Sequence, residues 1–443
     1  PLQLAATTVL LPQRRTARAL HEAFLRLSEG NAMLLPRMVP LGDVDAEELL
    51  LSERETFAAT GLDEKLPPAM PEHRRQLLLT SLVRKWGEAD PDQTAPTVDH
   101  AARLAAELAR LMDQVENEGL SFDNLADLVP ERHAQHWQTT LDFLTIVTEH
   151  WPAIEAHEGA IGPAARRRRL IEARAAAWHA DPPAEPVIAA GSTGSMPATA
   201  KLLDVVARLP TGCVVLPGLD REMPDEAWAA AATDPAHPQH TMASLLDRMG
   251  VARDIVADWP YTSGTQVPTA RVRVANLALR PASATPEWRD VADDATAQRV
   301  ELGLRGLRRL DCPDPVSEAG TIALLLREAL ETPGRTAALV TPDRDLARRV
   351  ASELARWDLA IDDSAGTPLA NTQPGAFLRL TAQMLAEGLA PAPLLAALKH
   401  PLAAGGEAAG AFRRKVRKLE TVALRGPRPP SGFAGLREAV AHA

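Results

Sequence analysis

Arginines recur at matched positions in two copies of one short phrase that lie 330 residues apart. The copies run over residues 9–20 and 339–350, and each combines an apolar run, a proline and a helical pattern. The arginines at the turn and the first helical turn are Arg14, Arg15, Arg18, Arg344, Arg348 and Arg349. A guanidinium group matches the oxygens of a phosphate group and stacks on ring systems. These arginines are candidates for phosphate binding, and pairing with carboxylates or a solvated surface is the alternative.

A second candidate anion site is the turn Gly191-Ser192-Thr193-Gly194-Ser195, which follows an apolar run and precedes a helical pattern. Backbone amides at a helix N-terminus bind anions, so Ser192, Thr193 and Ser195 are candidate phosphate ligands. The turn lacks the lysine of a P-loop, the spacing of a dinucleotide site and the G-x-S-x-G of a hydrolase. A plain tight turn with a serine or threonine cap is the alternative.

Motifs for nucleotide hydrolysis are absent from the sequence. A P-loop holds nucleotide phosphates through its amides and lysine, and no G-x-x-x-x-G-K-[ST] occurs. No predicted strand ends in an acidic pair for magnesium; Asp220 is the nearest candidate, and a turn aspartate is favoured. His133 and His136 lie one helical turn apart without a third ligand, so a surface helix is favoured over a metal site. We therefore predict neither a catalytic nor a metal site.

Two basic runs in the sequence predict different kinds of surface. The four arginines at residues 166–169 wrap around a predicted helix and cannot all face one partner, which favours a solvated surface. Residues 413–418 form the densest basic run and are a candidate surface for DNA or for another domain.

The elements that must position these side chains indicate an α/β chain with a helical interruption. A strand, a proline turn and a helix are predicted over residues 7–28, and an extended segment over 32–41. A strand at 186–191, a helix at 198–209 and a strand at 213–217 complete a pattern that implies a parallel sheet. The simplest topology inserts the intervening helical block into one α/β domain.

That block covers residues 67–180 and shows helical periodicity throughout. Its second helix is opened by Thr97 and closed near Gly119. A second α/β unit is predicted from a helix, a strand and a helix, followed by a further helical stretch. These four segments are residues 317–330, 336–341, 343–357 and 375–398.

Length and composition limit the class of protein and the number of domains. The chain has 443 residues, a net charge of −10 and 24% charged residues, which is typical of a soluble protein of about three domains. The net negative charge argues against an extended nucleic-acid-binding surface, but it is compatible with a local basic groove. Cys213 and Cys312 cannot build a four-cysteine site, and no signal peptide or membrane span is visible. We expect a cytoplasmic protein and, because the chain starts at Pro1, part of a longer one.

Several phrases carry a resemblance to a known family, and they follow one another along nearly the whole chain. They are TVLLPQRRTARAL at residues 8–20, LPRMVPLGD at 35–43, GLSFD at 119–123, HWQTTLDFL at 136–144, AAGSTGSMP at 189–197 and VTPDRDLARRV at 340–350. By these phrases the chain resembles the AddB subunits of bacterial AddAB helicase–nucleases, in particular the alphaproteobacterial type.

The resemblance implies the fold of UvrD-like helicases, with two RecA-like parallel-sheet domains of the P-loop NTPase class and a large all-helical insertion. It assigns residues 1–62 and 185–312 to the first RecA-like domain and 63–184 to the insertion. Residues 313–443 become the second RecA-like domain with the start of its own helical insertion. A nuclease domain, with its metal, would lie beyond residue 443.

The resemblance also gives the candidate residues a role. In such helicases the corresponding loops face single-stranded DNA, so the six arginines and Ser192, Thr193 and Ser195 become candidate DNA contacts. Pro342 stands where an arginine that contacts the nucleotide is expected, which argues against ATP hydrolysis. The implied role is therefore a helicase-like part without ATPase activity in a complex that resects DNA double-strand breaks.

The implied partners are single-stranded and double-stranded DNA and an AddA motor subunit, which would hold ATP and magnesium. No cofactor is expected within residues 1–443, and no membrane. Two alternatives remain open. One is a Rossmann-like small-molecule enzyme with its cofactor near residues 186–200, and the other is a scaffold that binds only protein.

Overall fold

The computed structural model describes residues 2–42, 66–89, 96–122, 140, 143–260, 269–285 and 294–442. The chain divides into two compact units, Pro1–Arg308 and Arg309–Ala443. Of the described helices, none combines the length and apolarity that crossing a membrane requires. His133 and His136 lie outside the described residues.

A four-stranded parallel sheet forms the centre of the first unit. Its strands are β1 (Thr8–Leu11), β2 (Arg37–Pro40), β3 (Val187–Ala190) and β4 (Gly212–Val215). Their order in the sheet is β2-β1-β3-β4, all parallel. Thr8 lies opposite Val187. The sheet therefore joins a strand that precedes the predicted helical block (residues 67–180, hereafter the helical region) in the sequence with one that follows it. The predicted α/β class with a parallel sheet is confirmed, whereas the RecA-like assignment stays a prediction.

Helices make up most of the rest of the first unit in the described ranges, including the described stretches of sequence between β2 and β3. They are α1 (Leu2–Ala6), α2 (Arg14–Leu27), α3 (Glu72–Ala89), α4 (Val98–Asn117), α5 (Trp151–Glu158), α6 (Pro163–Ala180), α7 (Pro197–Arg208), α8 (Asp225–Thr233), α9 (His240–Met249), α10 (Thr269–Ala278) and α11 (Asp294–Leu304). A π-helical turn, Ile146–His150, leads into α5.

β1 is buried on both faces, as expected of a strand inside a parallel sheet. On one face, Val9 and Leu11 pack against Ala17 of α2. Leu10 points to the opposite face because side chains alternate along a strand. There it joins a core with β3 and helices α6, α7 and α9. The strand thus has a helical layer on each side.

The helical region has its own core, in which Leu79 of α3 packs with Ala101 of α4. α4 has the bounds that its sequence signals predict. The side chain of Thr97 accepts a hydrogen bond from the backbone N–H of His100 at 3.3 Å, and Gly119 adopts a positive φ of 65° just past the end.

The prediction of a solvated surface at residues 166–169 is wrong for three of the four arginines. Arg166 is buried, Arg167 and Arg168 are half-buried, and only Arg169 is exposed. Arg166 donates to the carbonyl of Pro67 (3.1 Å), Arg167 to the carbonyl of Gly42 (3.1 Å) and Asn117 Oδ1 (2.9 Å), and Arg168 to Glu116 Oε2 (3.0 Å) and Glu172 Oε1 (3.1 Å). Successive residues point about 100° apart around a helix, so each arginine reaches a different segment.

The described part of the second unit contains helices and no strand. They are α12 (Pro315–Leu330), α13 (Arg344–Ala355), α14 (Gln373–Ala386), α15 (Pro391–Lys399), α16 (Ala409–Leu419), which continues as a π-helical turn (Glu420–Leu424), and α17 (Gly432–Ala441). α12 and α13 pack through Ala323 and Leu354. The predicted strand at residues 336–341 is wrong: the segment has no strand partner among the described residues, and Val340 is 93% exposed. An extended segment needs neighbouring strands to offset its ordering entropy.

Candidate nucleic-acid interface

The candidate site lies at one edge of the sheet, where the direction of the crossovers reverses. Because the strands are parallel, their carboxyl ends all meet at this edge. β1 leads through α2 to β2 on one side, and β3 leads through α7 to β4 on the other. Right-handed crossovers then place α2 and α7 on opposite faces, in agreement with their separate cores. Open α/β sheets bind ligands at such a switch point, here between β1 and β3.

Pro12 and two glycines bring the loops after the strands together. The amide of Gly42 donates to the carbonyl oxygen of Pro12 at 2.8 Å, and a Cβ at Gly42 would stand only 2.6 Å from that oxygen. Gly191 has a φ of +80°, and a Cβ there would lie 3.5 Å from Pro12 Cγ. The turn after β1 therefore lies directly against the turn after β3.

Arg14 and Arg15 begin α2 at this crevice. Gln13 is the N-cap residue, and its side chain makes no capping hydrogen bond. The first turn of α2 has no acidic residue, and both arginines are exposed. Arg18, also exposed, follows one turn after Arg14 on the same side of the helix. The positive end of the helix dipole and the guanidinium groups therefore act in the same direction on an anion.

The loop after β3 lies on the other side of the switch point. Ser192 Oγ accepts a hydrogen bond from the backbone N–H of Gly194 at 3.3 Å, which closes a turn within the loop. Thr193 is half-buried and Ser195 is exposed. α7 begins at Pro197 with no side chain capping its N-terminus. The serine turn expected as the alternative does form, but inside the loop and not as a cap on the helix, so the positive end of α7 also faces this edge.

The arginines of the second copy belong to the other compact unit and have carboxylate partners. Arg344 forms two hydrogen bonds with Asp363, at 3.1 and 2.6 Å, and this pairing raises the pKa of Arg344 above its ordinary value. Arg348 pairs with Asp345 at 3.0 Å. Arg349 is exposed. The alternative interpretation, pairing with carboxylates, therefore describes Arg344 and Arg348.

One position accounts for a difference in capping between the helix N-termini of the two copies. Asp343 stands where the first copy has Gln13, and its carboxylate accepts hydrogen bonds from the backbone N–H groups of Asp345 and Leu346. The N-terminus of α13 is thus already capped by an anion, while that of α2 is not.

Asp220 is a turn aspartate, as its sequence context favours. One carboxylate oxygen accepts from the backbone N–H of Glu222 at 3.0 Å, and the other accepts from Asn276 Nδ2 at 2.8 Å. Within the described ranges, no three His, Cys, Asp or Glu side chains are grouped so that they could hold a metal ion.

Sequence reasoning did not identify Pro12, Gly42 and Gly191 as the residues that shape the crevice. The sequence does mark these positions, because each of the three residues directly follows an apolar run that ends a strand. It also did not identify Lys399 and Arg425, which line a groove in the second unit with part of the basic run at 413–418.

No protein-family model matches this chain, and no curated protein sequence matches it.

Proposed function

We propose that the chain is the helicase-like part of an AddB-type subunit and that the crevice between β1 and β3 binds single-stranded DNA. The observation that carries the proposal is that the turn leading into Arg14 and Arg15 lies against Gly191, the first residue of the 191–195 loop, at the switch point. Two helix N-termini without side-chain caps and exposed guanidinium groups suit phosphate oxygens.

The chemistry of the crevice favours a DNA strand over a nucleotide that is to be hydrolysed. It has no P-loop lysine to hold phosphates, and its cations are arginines, which suit both phosphates and stacked bases. On this proposal, ATP and magnesium act in an AddA-type motor subunit in the cytoplasm. The present chain would guide a strand of broken double-stranded DNA towards a nuclease domain.

The proposal is tested by the salt dependence of binding to oligothymidine. We expect the variant R14Q/R15Q/R18Q to bind more weakly and to flatten the plot of log affinity against log salt by about 0.7 for each phosphate that it no longer neutralises. The variant R344Q/R348Q/R349Q is the matched control, because it removes the same charge where two of the arginines are already paired with carboxylates.

We expect the control variant to keep most of the slope of the wild type. A slope that is unchanged in the first variant would leave the protein-only scaffold as the better explanation.

A Rossmann-like small-molecule enzyme is the second candidate function, because dinucleotides also bind at switch points of this kind. The observation that favours it is the N-terminus of α7, which directly follows the glycine-containing loop and carries no side-chain cap. The missing G-x-G-x-x-G spacing weighs against it. A rise in the unfolding temperature on addition of NAD, absent with oligothymidine, would favour this candidate over DNA binding.

A further inference from the structure

A basic groove lies in the second unit, between the end of α15, residues 413–417 of α16 and the π-helical turn that follows it. Its volume is about 460 Å³, within the range of small-ligand sites. The groove is lined by Leu398, Lys399, Arg413, Val416, Arg417, Glu420, Thr421 and Arg425. Four cationic side chains and a single carboxylate thus share one concave surface.

The concentration of charge here contrasts with the rest of the molecule. Residues 399–428 carry eight Lys or Arg side chains and two glutamates, in a chain whose net charge is −10. A cavity lined by one sign of charge focuses the electrostatic potential and attracts ligands of the opposite sign.

Glu420 holds two of the four cations in place. Its carboxylate pairs with Lys399 Nζ at 2.6 Å and with Arg425 Nη2 at 3.0 Å. The hydrogen bond from Lys399, together with that from Arg425, lowers the pKa of Glu420 below its ordinary value. The carboxylate is therefore ionised at neutral pH, and the groove keeps an excess of positive charge.

Arg413 and Arg417 provide that excess. They lie one turn apart on α16, so they share one side of the helix, and both are exposed. Within the described part of the chain, neither guanidinium group forms an ion pair or a hydrogen bond that would neutralise it. Cations in the last turn of a helix also stabilise its dipole, which accounts for Arg417 but not for Arg413, which lies a turn earlier.

The backbone at the groove is itself unusual. α16 passes into a π-helical turn at Glu420, and single π-helical turns occur frequently at functional sites. The turn follows α16 directly, so Glu420 and Thr421 line the groove together with Arg413 and Arg417.

We propose that this groove binds a ligand with two or more closely spaced phosphate groups, with Arg413 and Arg417 as the direct contacts. Lys399 and Arg425, oriented by Glu420, complete the site. The site uses none of the residues of the β1–β3 crevice, so it extends the proposed function without resting on it. Such phosphates could belong to a free polyphosphate compound or to a nucleic-acid backbone, and the experiment separates the two.

The test titrates the full chain with inorganic pyrophosphate and, separately, with oligothymidine in a calorimeter. The variant R413Q/R417Q removes the two direct contacts. The variant R414Q/K418Q is its matched control, because it removes two charges at the same spacing on the same helix from side chains that do not line the groove. All four positions are exposed, and unfolding midpoints verify that both variants fold.

We expect R413Q/R417Q to weaken pyrophosphate binding by about tenfold or more, because the hydrogen bonds that it removes are charge-assisted and therefore stronger than those between neutral groups. We expect the control to stay within about threefold of the wild type. If only oligothymidine binding shows this difference, the phosphates are those of a nucleic-acid backbone. Equal weakening in both variants, or no difference with either probe, would overturn the proposal.

The variant R14Q/R15Q/R18Q separates this proposal from the proposed function. We expect it to bind pyrophosphate as the wild type does, even where its affinity for oligothymidine falls. Loss of pyrophosphate binding in that variant, with R413Q/R417Q unaffected, would place the phosphate site at the crevice and contradict a site in the groove.

Discussion

Single residues distinguish the N-termini of the two repeated helices. Gln13 and Asp343 occupy the same position before α2 and α13, yet only Asp343 caps its helix. The next difference is Arg15 in the first copy against Asp345 in the second. The second copy thus has a capping carboxylate and an acidic residue in the first helical turn, where the first copy has no side-chain cap and an arginine.

The substitution Gln13→Asp should transfer the property of the second copy to the first. Gln13 already has extended backbone angles, φ −146° and ψ 157°, which suit an N-cap aspartate. We expect a gain of about 0.5–1 kcal/mol in the free energy of unfolding from the new cap, together with weaker binding of oligothymidine. Denaturant titration and a binding isotherm measure the two effects. A more stable protein with unchanged affinity would show that the crevice does not hold the DNA.

At the scale of elements, α6 connects the helical region to the sheet. Its apolar residues Leu170 and Ile171 belong to the core beside the sheet, while Arg167 and Arg168 reach Asn117 and Glu116 at the end of α4. The helix therefore fixes the position of the helical region relative to the strands that bear the crevice.

The neighbours Arg166 and Arg169 give a matched test of this connection on one helix. Arg166 is 7% exposed and donates to the carbonyl of Pro67, whereas Arg169 is exposed. We expect Arg166→Leu to lower the free energy of unfolding by about 2 kcal/mol, because the half-buried carbonyl of Pro67 loses the hydrogen bond from a buried, charged donor. Arg169→Leu should change it by less than about 0.5 kcal/mol. Comparable losses in the two variants, measured by denaturant titration, would contradict a connecting role for Arg166.

The sequence predicts an element well where nearby residues determine it. The prediction fails where the element depends on contacts with segments that are distant in the sequence. The cap of α4 at Thr97 and the buried β1 follow from residues within one or two turns. Residues 336–341 have the same apolar pattern as β1, but a strand also requires neighbours, which no local pattern encodes. The burial of Arg166 depends on Pro67, about a hundred residues away. The crevice could be predicted in part, because Arg14 and the 191–195 loop each follow a predicted strand, but their adjacency depends on the strand order.

At the scale of the whole molecule, the chain consists of two units, each with its own apolar cores. The connection between them runs from the end of α11 at Leu304 to Asp314, which caps α12. Leu307 and Leu310 in this connection are each 56% exposed, and the segment forms no helix or strand. The division between the two units falls within this connection, between Arg308 and Arg309.

Limited digestion with trypsin should therefore cut the chain in this connection, since exposed segments without secondary structure are preferred sites of proteolysis. Arg305, Arg308 and Arg309 offer the cleavage sites. We expect two products close to residues 1–308 and 309–443, which intact mass identifies. The variant R305Q/R308Q/R309Q removes the sites without touching either core, so the same two products should form much more slowly. If the variant yields them at the rate of the wild type, the boundary between the units lies elsewhere in the chain.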